Sequence, residues 1–251
     1  DEPQTTKTTQ KKRATKAKVS SNWLKLASDT KVTGKRKSPH KPDHEFPEKK
    51  KAKNMSNQLP PATNEDKSIT KYIGLDCEMV GVGTDGEESA LAQVVIVNSY
   101  GNLIYNKYVK PTERIVDYRT KVSGIRPEHL ENAPNFAEVQ KEVSEIIEGR
   151  IIVGHGLEND FKALLLSHPF VMTRDTAKFR PLQRRKNKPH SLKWLAKTHL
   201  GVEIQSGEHS PDVDARAALL LYNKVKKEWE ALMRVKHKKK YSNSRVPKKK
   251  I

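Results

Sequence analysis

The chain has 251 residues, of which 34% are hydrophobic and 31% charged, and it carries a net charge of +19. So polar a composition leaves too few apolar side chains to pack the whole length, so part of the chain is expected not to fold. No apolar run is long enough to cross a bilayer and the first residues lack the apolar core of a secretory signal, so a soluble, intracellular protein with no membrane partner is expected.

The charge is unevenly spread. Residues 1–70 hold 17 Lys and Arg against 8 Asp and Glu, and residues 223–251 hold 12 against 2, whereas residues 71–222 hold 20 of each. A neutral globular domain over residues 70–225, large enough to bury a core, is therefore predicted between a basic arm at 1–69 and a basic tail at 226–251 that is helical at its start. Lysine clusters such as Lys11-Lys12-Arg13, Lys35-Arg36-Lys37, Lys49 to Lys53 and Lys238 to Lys240 suit nuclear import and polyphosphate binding. The single cysteine, Cys77, excludes an internal disulfide and fits a reducing compartment. The chain opens on Asp1 instead of Met, which suggests numbering that starts inside a longer chain or after processing.

In chain order, Asp1 to Ser68 is rich in Lys, Thr, Ser, Pro and Asn, and disorder is expected there. Ser21-Asn22-Trp23-Leu24-Lys25-Leu26 interrupts it with a Trp and two Leu that have nothing nearby to bury against, as in a short docking motif. Lys71 to Val80 (KYIGLDCEMV) reads as a strand, Gly81 to Gly86 as a turn-rich loop, and Ala90 to Val97 and Leu103 to Val109 as two further strands of an antiparallel meander. Asn135 is placed to cap a helix whose Phe136, Val139, Val143, Ile146 and Ile147 share one side and which stops at Gly149. Ile151 to Val153 is an apolar strand, a helix begins near Leu157, and Val171-Met172 is a further brief strand. Strand and helix alternate here, which implies parallel pairing and a mixed sheet with helices on its faces. Ser191 should cap a helix over Leu192 to Leu200, closed by Gly201, and a last helix should start near Asp212 and run to about Met233.

Within this frame, alternation with period two aims Asp76 and Glu78 at one face of the first strand and Cys77 at the other. Two carboxylates one strand-step apart repel each other, and a divalent cation is the natural compensation. Asp160 falls on the first turn of a helix, Asp214 on the first turns of the last one, and His209 in the loop five residues before Asp214. Singly, each acid would merely complement a helix dipole or sit solvated at a strand end, and the histidine would be a loop residue. Together they suit phosphodiester hydrolysis. Two Mg²⁺ or Mn²⁺ ions about 3.5–4 Å apart neutralise the scissile phosphate and make water nucleophilic near neutral pH. Asp76, Glu78, Asp160 and Asp214 supply the oxygen ligands such hard cations take, and His209, with an intrinsic pKa of about 6.5, suits a general base.

Asp76-x-Glu78, Asp160-Phe161 after a Gly-His-Gly, and His209-x4-Asp214-Ala215 resemble the three motifs of the DEDDh exonucleases, the DnaQ-like group. Gly74-Leu75-Asp76-Cys77-Glu78-Met79-Val80, Gly154-His155-Gly156-Leu157-x-Asn159-Asp160 and Arg174-Asp175-Thr176 are similar to the eukaryotic Rex branch, and the likeness covers about residues 70–225. The resemblance implies an α/β, ribonuclease H-like fold with a five-stranded mixed sheet. It also implies 3′→5′ exonuclease activity releasing nucleoside 5′-monophosphates, four carboxylates holding two metals and His209 as base. It implies further that Met79 and Ile125 contact the terminal nucleotide, although both also read as ordinary core. His155 and Asp175 read as residues that order their turns.

Arg184 and Arg185, in the basic loop Arg180 to Lys188, are expected to guide a single strand inward, while the arms add salt-dependent affinity for RNA phosphates. The leading expectation is a monomeric, metal-dependent exoribonuclease acting on pre-rRNA in the nucleolus, in contact with pre-ribosomal particles of the large subunit. The rRNA substrate rests on the resemblance alone. Two other readings stay open: an RNA-binding assembly factor whose catalysis is dispensable, and a DNA-directed exonuclease.

Overall fold

The structure, a computed structural model, describes residues 58–183 and 189–243, with side chains up to residue 235. The motif at 21–26, most of the basic arm, Arg184, Arg185 and the last eight residues lie outside the described residues.

Ile73, Leu75 and Cys77 alternate with Gly74, Asp76 and Glu78 along β1 (Tyr72–Val82). It pairs antiparallel with β2 (Glu88–Asn98), and β2 pairs antiparallel with β3 (Leu103–Tyr108), forming the expected meander. On the other edge of β1 come β4 (Ile151–Gly154) and β5 (Thr173–Asp175), both parallel. The order β3-β2-β1-β4-β5 gives the expected five-stranded mixed sheet and leaves β1 in its centre.

The sheet divides two apolar layers. Ile73, Leu75, Val94 and Ile96 meet Val139, Val143 and Ile147 of α3 (Phe136–Ile147) and Leu157 of α4 (Leu157–Ala163). The opposite layer joins Val95, Val97 and Val153 to Ala215, Ala218, Leu219 and Tyr222 of α6 (Pro211–Asn243). Two one-turn helices, α1 (Thr120–Ser123) and α2 (Pro127–Leu130), precede α3, and α5 (Leu192–Leu195) precedes α6. As expected, the Asn135 carboxamide oxygen accepts from the Glu138 N–H at 3.0 Å, and the Ser191 hydroxyl accepts from the Trp194 N–H at 3.3 Å. Among the described residues no helix is long and apolar enough to cross a membrane.

Four local expectations are revised. Phe170–Met172 is a 3₁₀ turn and the strand is Thr173–Asp175, because only the latter residues reach β4 for ladder bonds. The helix over 192–200 changes pitch, running as α5 and then as a π turn over Ala196–Leu200 before Gly201 closes it at φ 76°. The last helix continues to Asn243, and the core passes residue 225: Trp229 stacks on Phe179 at a centroid distance of 3.9 Å, and Met233 is buried beside them. At the other end, residues 58–70 are strapped to the β2–β3 turn. The Asn98 amide donates to Asp66 O and Ser68 O, the Asn102 amide to Asn64 O and Asp66 O, and Arg216 donates to Pro60 O. A polar segment held by its carbonyls carries no hydrophobic signal, so composition alone reads it as loose.

Candidate active site

Everything in the site depends on how closely α6 and α4 approach β1. At Gly74 a Cβ would come within 2.8 Å of Val97 Cγ2 and 2.9 Å of Ala215 O. Only glycine lets α6 lie so flat on the strand, and that contact places Asp214, one residue before Ala215, over the sheet face carrying Asp76 and Glu78. Glu78 and Asp214 are 6% and 3% exposed, and Asp76 is half-buried. Just after Glu78 the ladder slips, from the pair Glu78–Gln93 to Met79–Leu91, so a bulge sits beside the acidic pair.

Asp160 arrives from α4. A Cβ on Gly154 would strike the Leu157 side chain and Leu75 O, so this position too needs glycine for the chain to fold back over the strand ends. The turn is then pinned by the next strand: Asp175 Oδ1 accepts from the Gly156 N–H at 2.8 Å and the Ala177 N–H at 2.9 Å. The Thr176 hydroxyl donates to Gly154 O at 2.9 Å, which leaves its oxygen to accept from His155 Nδ1 at 2.9 Å. Asp175 and His155 therefore order the turn that presents Asp160; this is the expectation for His155, whereas Asp175 is expected to hold only Thr173 to Thr176.

The electrostatics report the convergence. Asp76 is held well above the usual carboxylate range, first by desolvation and then by the negative charges of Asp160, Asp214 and Glu78. Glu78 is pushed up to about 8 by burial, then by Asp214 and Asp160. Asp160 and Asp214 also rise through burial, against hydrogen bonds from Cys77 and Gln205 respectively. Acids spread from residue 76 to residue 214 thus share one small volume.

His209 completes the set at its open side. Nδ1 lies 3.6 Å from Asp214 Oδ2, and burial together with the Lys193 ammonium holds the imidazole below its ordinary pKa. A neutral ring is the form that accepts a proton. The loop bearing it is anchored twice to the α1 region: the His209 N–H donates to Val122 O at 2.7 Å, and the Arg126 guanidinium grips Glu208 at 2.6 and 3.1 Å.

Two of the four carboxylates also fit a metal by their unmet valence. Among the described residues Glu78 Oε1 and Asp214 Oδ1 are buried without a hydrogen-bond partner, and an oxygen so placed costs free energy unless a cation takes it up. No three His, Cys, Asp or Glu groups among the described residues already close on one point as a cage. Magnesium-type ions do not demand one: they keep several waters and are held by one or two carboxylates plus substrate phosphates.

Of the expected substrate contacts, Met79 is half-buried beside the first apolar layer. Ile125 is corrected: it is fully buried among Val80, Ala92 and Leu130, so its side chain is core and offers a ligand no surface. Arg184 and Arg185 lie outside the described residues. Gln205, Lys193, Arg126 and Glu208 were not singled out from the sequence. Arg126 and Glu208 are 82 positions apart, and nothing local marks such a pair.

The profile of the RNase T exonuclease family matches residues 73–222, the span that carries all five side chains. RNA exonuclease 4 of Saccharomyces cerevisiae is 51% identical over 174 residues, covering 68% of this chain and 60% of the relative, and that of Homo sapiens is 53% identical over 167 residues, covering 66% and 40%. The chain therefore spans less than two thirds of these relatives. Among solved structures, the Saccharomyces cerevisiae Pan2 pseudoubiquitin hydrolase-RNA exonuclease module in complex with AAGGA RNA superposes with a TM-score of 0.56 at 29% identity, over 74% of this chain and 35% of that one. The Neurospora crassa Pan2 catalytic unit gives a TM-score of 0.57 at 25% identity, over 71% and 31%. With the ribonuclease H-like sheet, the acidic strand end and these relatives in agreement, the chain belongs to the exonuclease family, in its DEDDh, Rex-type branch.

Proposed function

We propose that this chain is a divalent-metal-dependent exoribonuclease that shortens single-stranded RNA from its 3′ end and releases nucleoside 5′-monophosphates. The observation that carries the reading is the gathering of Asp76, Glu78, Asp160 and Asp214 in one desolvated site, with Glu78 Oε1 and Asp214 Oδ1 buried without a partner among the described residues and His209 Nδ1 3.6 Å from Asp214 Oδ2. The family is generally dependent on divalent metal ions, and Asp76, Glu78, Asp160 and Asp214 would hold them. Bound there, such ions supply charge neutralisation at the scissile phosphate and nucleophilic water near neutral pH.

The protein's own residues do the rest. His209, kept neutral by its surroundings, takes the proton of the attacking water, and Asp214 steadies the imidazolium that results. Met79 offers a half-buried thioether against which the terminal base can pack. RNA as substrate is supported by the RNA exonuclease 4 relatives and by the Pan2 module bound to RNA. A role in pre-rRNA processing on large-subunit precursors, in the nucleolus, is a further extension that rests on the Rex-branch resemblance alone, with which the basic clusters in both arms are compatible. The decisive assay incubates 5′-labelled single-stranded RNA, and a matched DNA, with Mg²⁺ or Mn²⁺, with and without chelator. A chelator-sensitive ladder shrinking from the 3′ side on RNA supports the proposal. Internal cuts, or activity that survives chelation, count against it, and faster loss of DNA would favour a DNA-directed enzyme.

A further inference from the structure

The loop between the π turn and α6 contains one residue whose backbone and side chain are both committed to the site. Gln205 has φ 54°, a left-handed conformation uncommon for a residue with a Cβ. Such outliers persist where the surroundings over-determine them, and they gather at functional sites. Here the surroundings are specific. Lys193 Nζ donates to Gln205 O at 2.7 Å, and from that fixed backbone the carboxamide donates through Nε2 to Asp214 Oδ2 at 2.7 Å. His209 Nδ1 approaches the same oxygen at 3.6 Å. The two Asp214 oxygens are therefore unequal: Oδ2 is occupied by the loop, while Oδ1 is buried without a partner among the described residues.

From this asymmetry we infer that Gln205 is a positioning residue, which fixes the rotation of the Asp214 carboxylate so that Oδ1 is the oxygen offered to a divalent cation. The inference rests on the proposed metal-dependent reading and adds to it the residue that orients one ligand. A carboxamide suits the task because it can donate without bringing charge. A lysine there would compete with the cation, and a carboxylate would add a like charge beside Asp214. The carboxamide reaches Asp214 from this left-handed backbone, whose carbonyl Lys193 holds.

The test measures Mn²⁺ binding to the full chain by titration calorimetry, together with the Mn²⁺-induced rise in melting temperature, for wild type, Gln205→Ala, Gln205→Gly and Asp214→Asn. Gln205→Gly is the informative variant, since glycine relaxes a left-handed position. If the residue merely shapes the loop, this variant melts at the same or a higher temperature and binds Mn²⁺ as wild type does. If it orients Asp214, its metal-free melting temperature still holds or rises, but Mn²⁺ affinity falls on the order of tenfold, as loss of a hydrogen bond behind a ligand does elsewhere. KM for RNA should stay within about twofold while the Mn²⁺ concentration for half-maximal rate rises with the dissociation constant. Wild-type affinity in both Gln205 variants overturns the inference and leaves the metal reading standing. A wild type that binds no Mn²⁺, or an Asp214→Asn that binds it equally, overturns the metal reading and this inference with it.

Discussion

Helix α6 carries an acid near each end of its packed length, Asp214 buried and Glu230 half-buried, and the two are treated in opposite ways. Near the middle of the helix, Glu230 receives Arg174 through both oxygens, at 2.8 and 3.0 Å, and accepts the Tyr222 hydroxyl at 2.8 Å. Arg174 also donates to Val171 O and Thr173 O, so a guanidinium only 2% exposed is satisfied on all sides. At the start of the helix, Asp214 faces three more carboxylates and no cation among the described residues. One cluster ties α6 to β5 by pairing opposite charges, whereas the other crowds like charges together and is the candidate for chemistry. Buried charge by itself therefore says little about role, and what decides is whether the neighbours carry the opposite sign.

The contrast can be broken at either end. The largest expected effect is on activity: Asp76→Asn with Glu78→Gln should lower turnover on single-stranded RNA on the order of a thousandfold or more. The metal-free melting temperature of that variant should equal or exceed wild type, since a repulsion has been removed. A marked fall in melting temperature would show that the acids are structural.

At the other cluster, Arg174→Met strands Glu230 and should cost about 3 kcal/mol in urea unfolding. Turnover per folded molecule should change little. Recovery of most of that loss in Arg174→Met with Glu230→Leu would confirm the pair as the cause, and no recovery would point to the carbonyl bonds of Arg174 instead.

A smaller effect tests the linkage. Glu78 has a folded-state value of about 8 against an ordinary 4.5, so the folded protein holds its proton more tightly than the unfolded chain. Its contribution to stability is thus fully present below pH 4.5 and is lost as pH rises toward 8. Protons compete with cations for the same oxygens, so a given Mn²⁺ concentration should raise the melting temperature more at pH 8 than at pH 6, by a few degrees at about a hundred times the dissociation constant. An equal rise at both pH values would remove Glu78 from the set of ligands.

The smallest effect concerns the Arg126–Glu208 grip, whose side chains are 41% and 43% exposed. Arg126→Ala should cost less than about 1 kcal/mol in stability. It should nonetheless lower turnover severalfold by loosening the loop that carries His209, and high salt should reproduce part of that loss in wild type.

Sequence alone carried much of this protein. The alternation of β1 set the common face of Asp76 and Glu78, Asn135 and Ser191 marked their helix starts, and the motifs put forward the five candidate side chains, because these signals reside in neighbouring residues and in periods of two and 3.6. Where the signal was not local the reading fell short. Residues 58–70 are held through their carbonyls, Trp229 and Met233 extend the core past the expected boundary, and Ile125 proved to be core. The unequal oxygens of Asp214, the Gln205 donor and the Arg126–Glu208 grip were decided only by tertiary structure. Each depends on groups from separate parts of the chain brought together by packing, and such contacts leave no periodic trace along the chain.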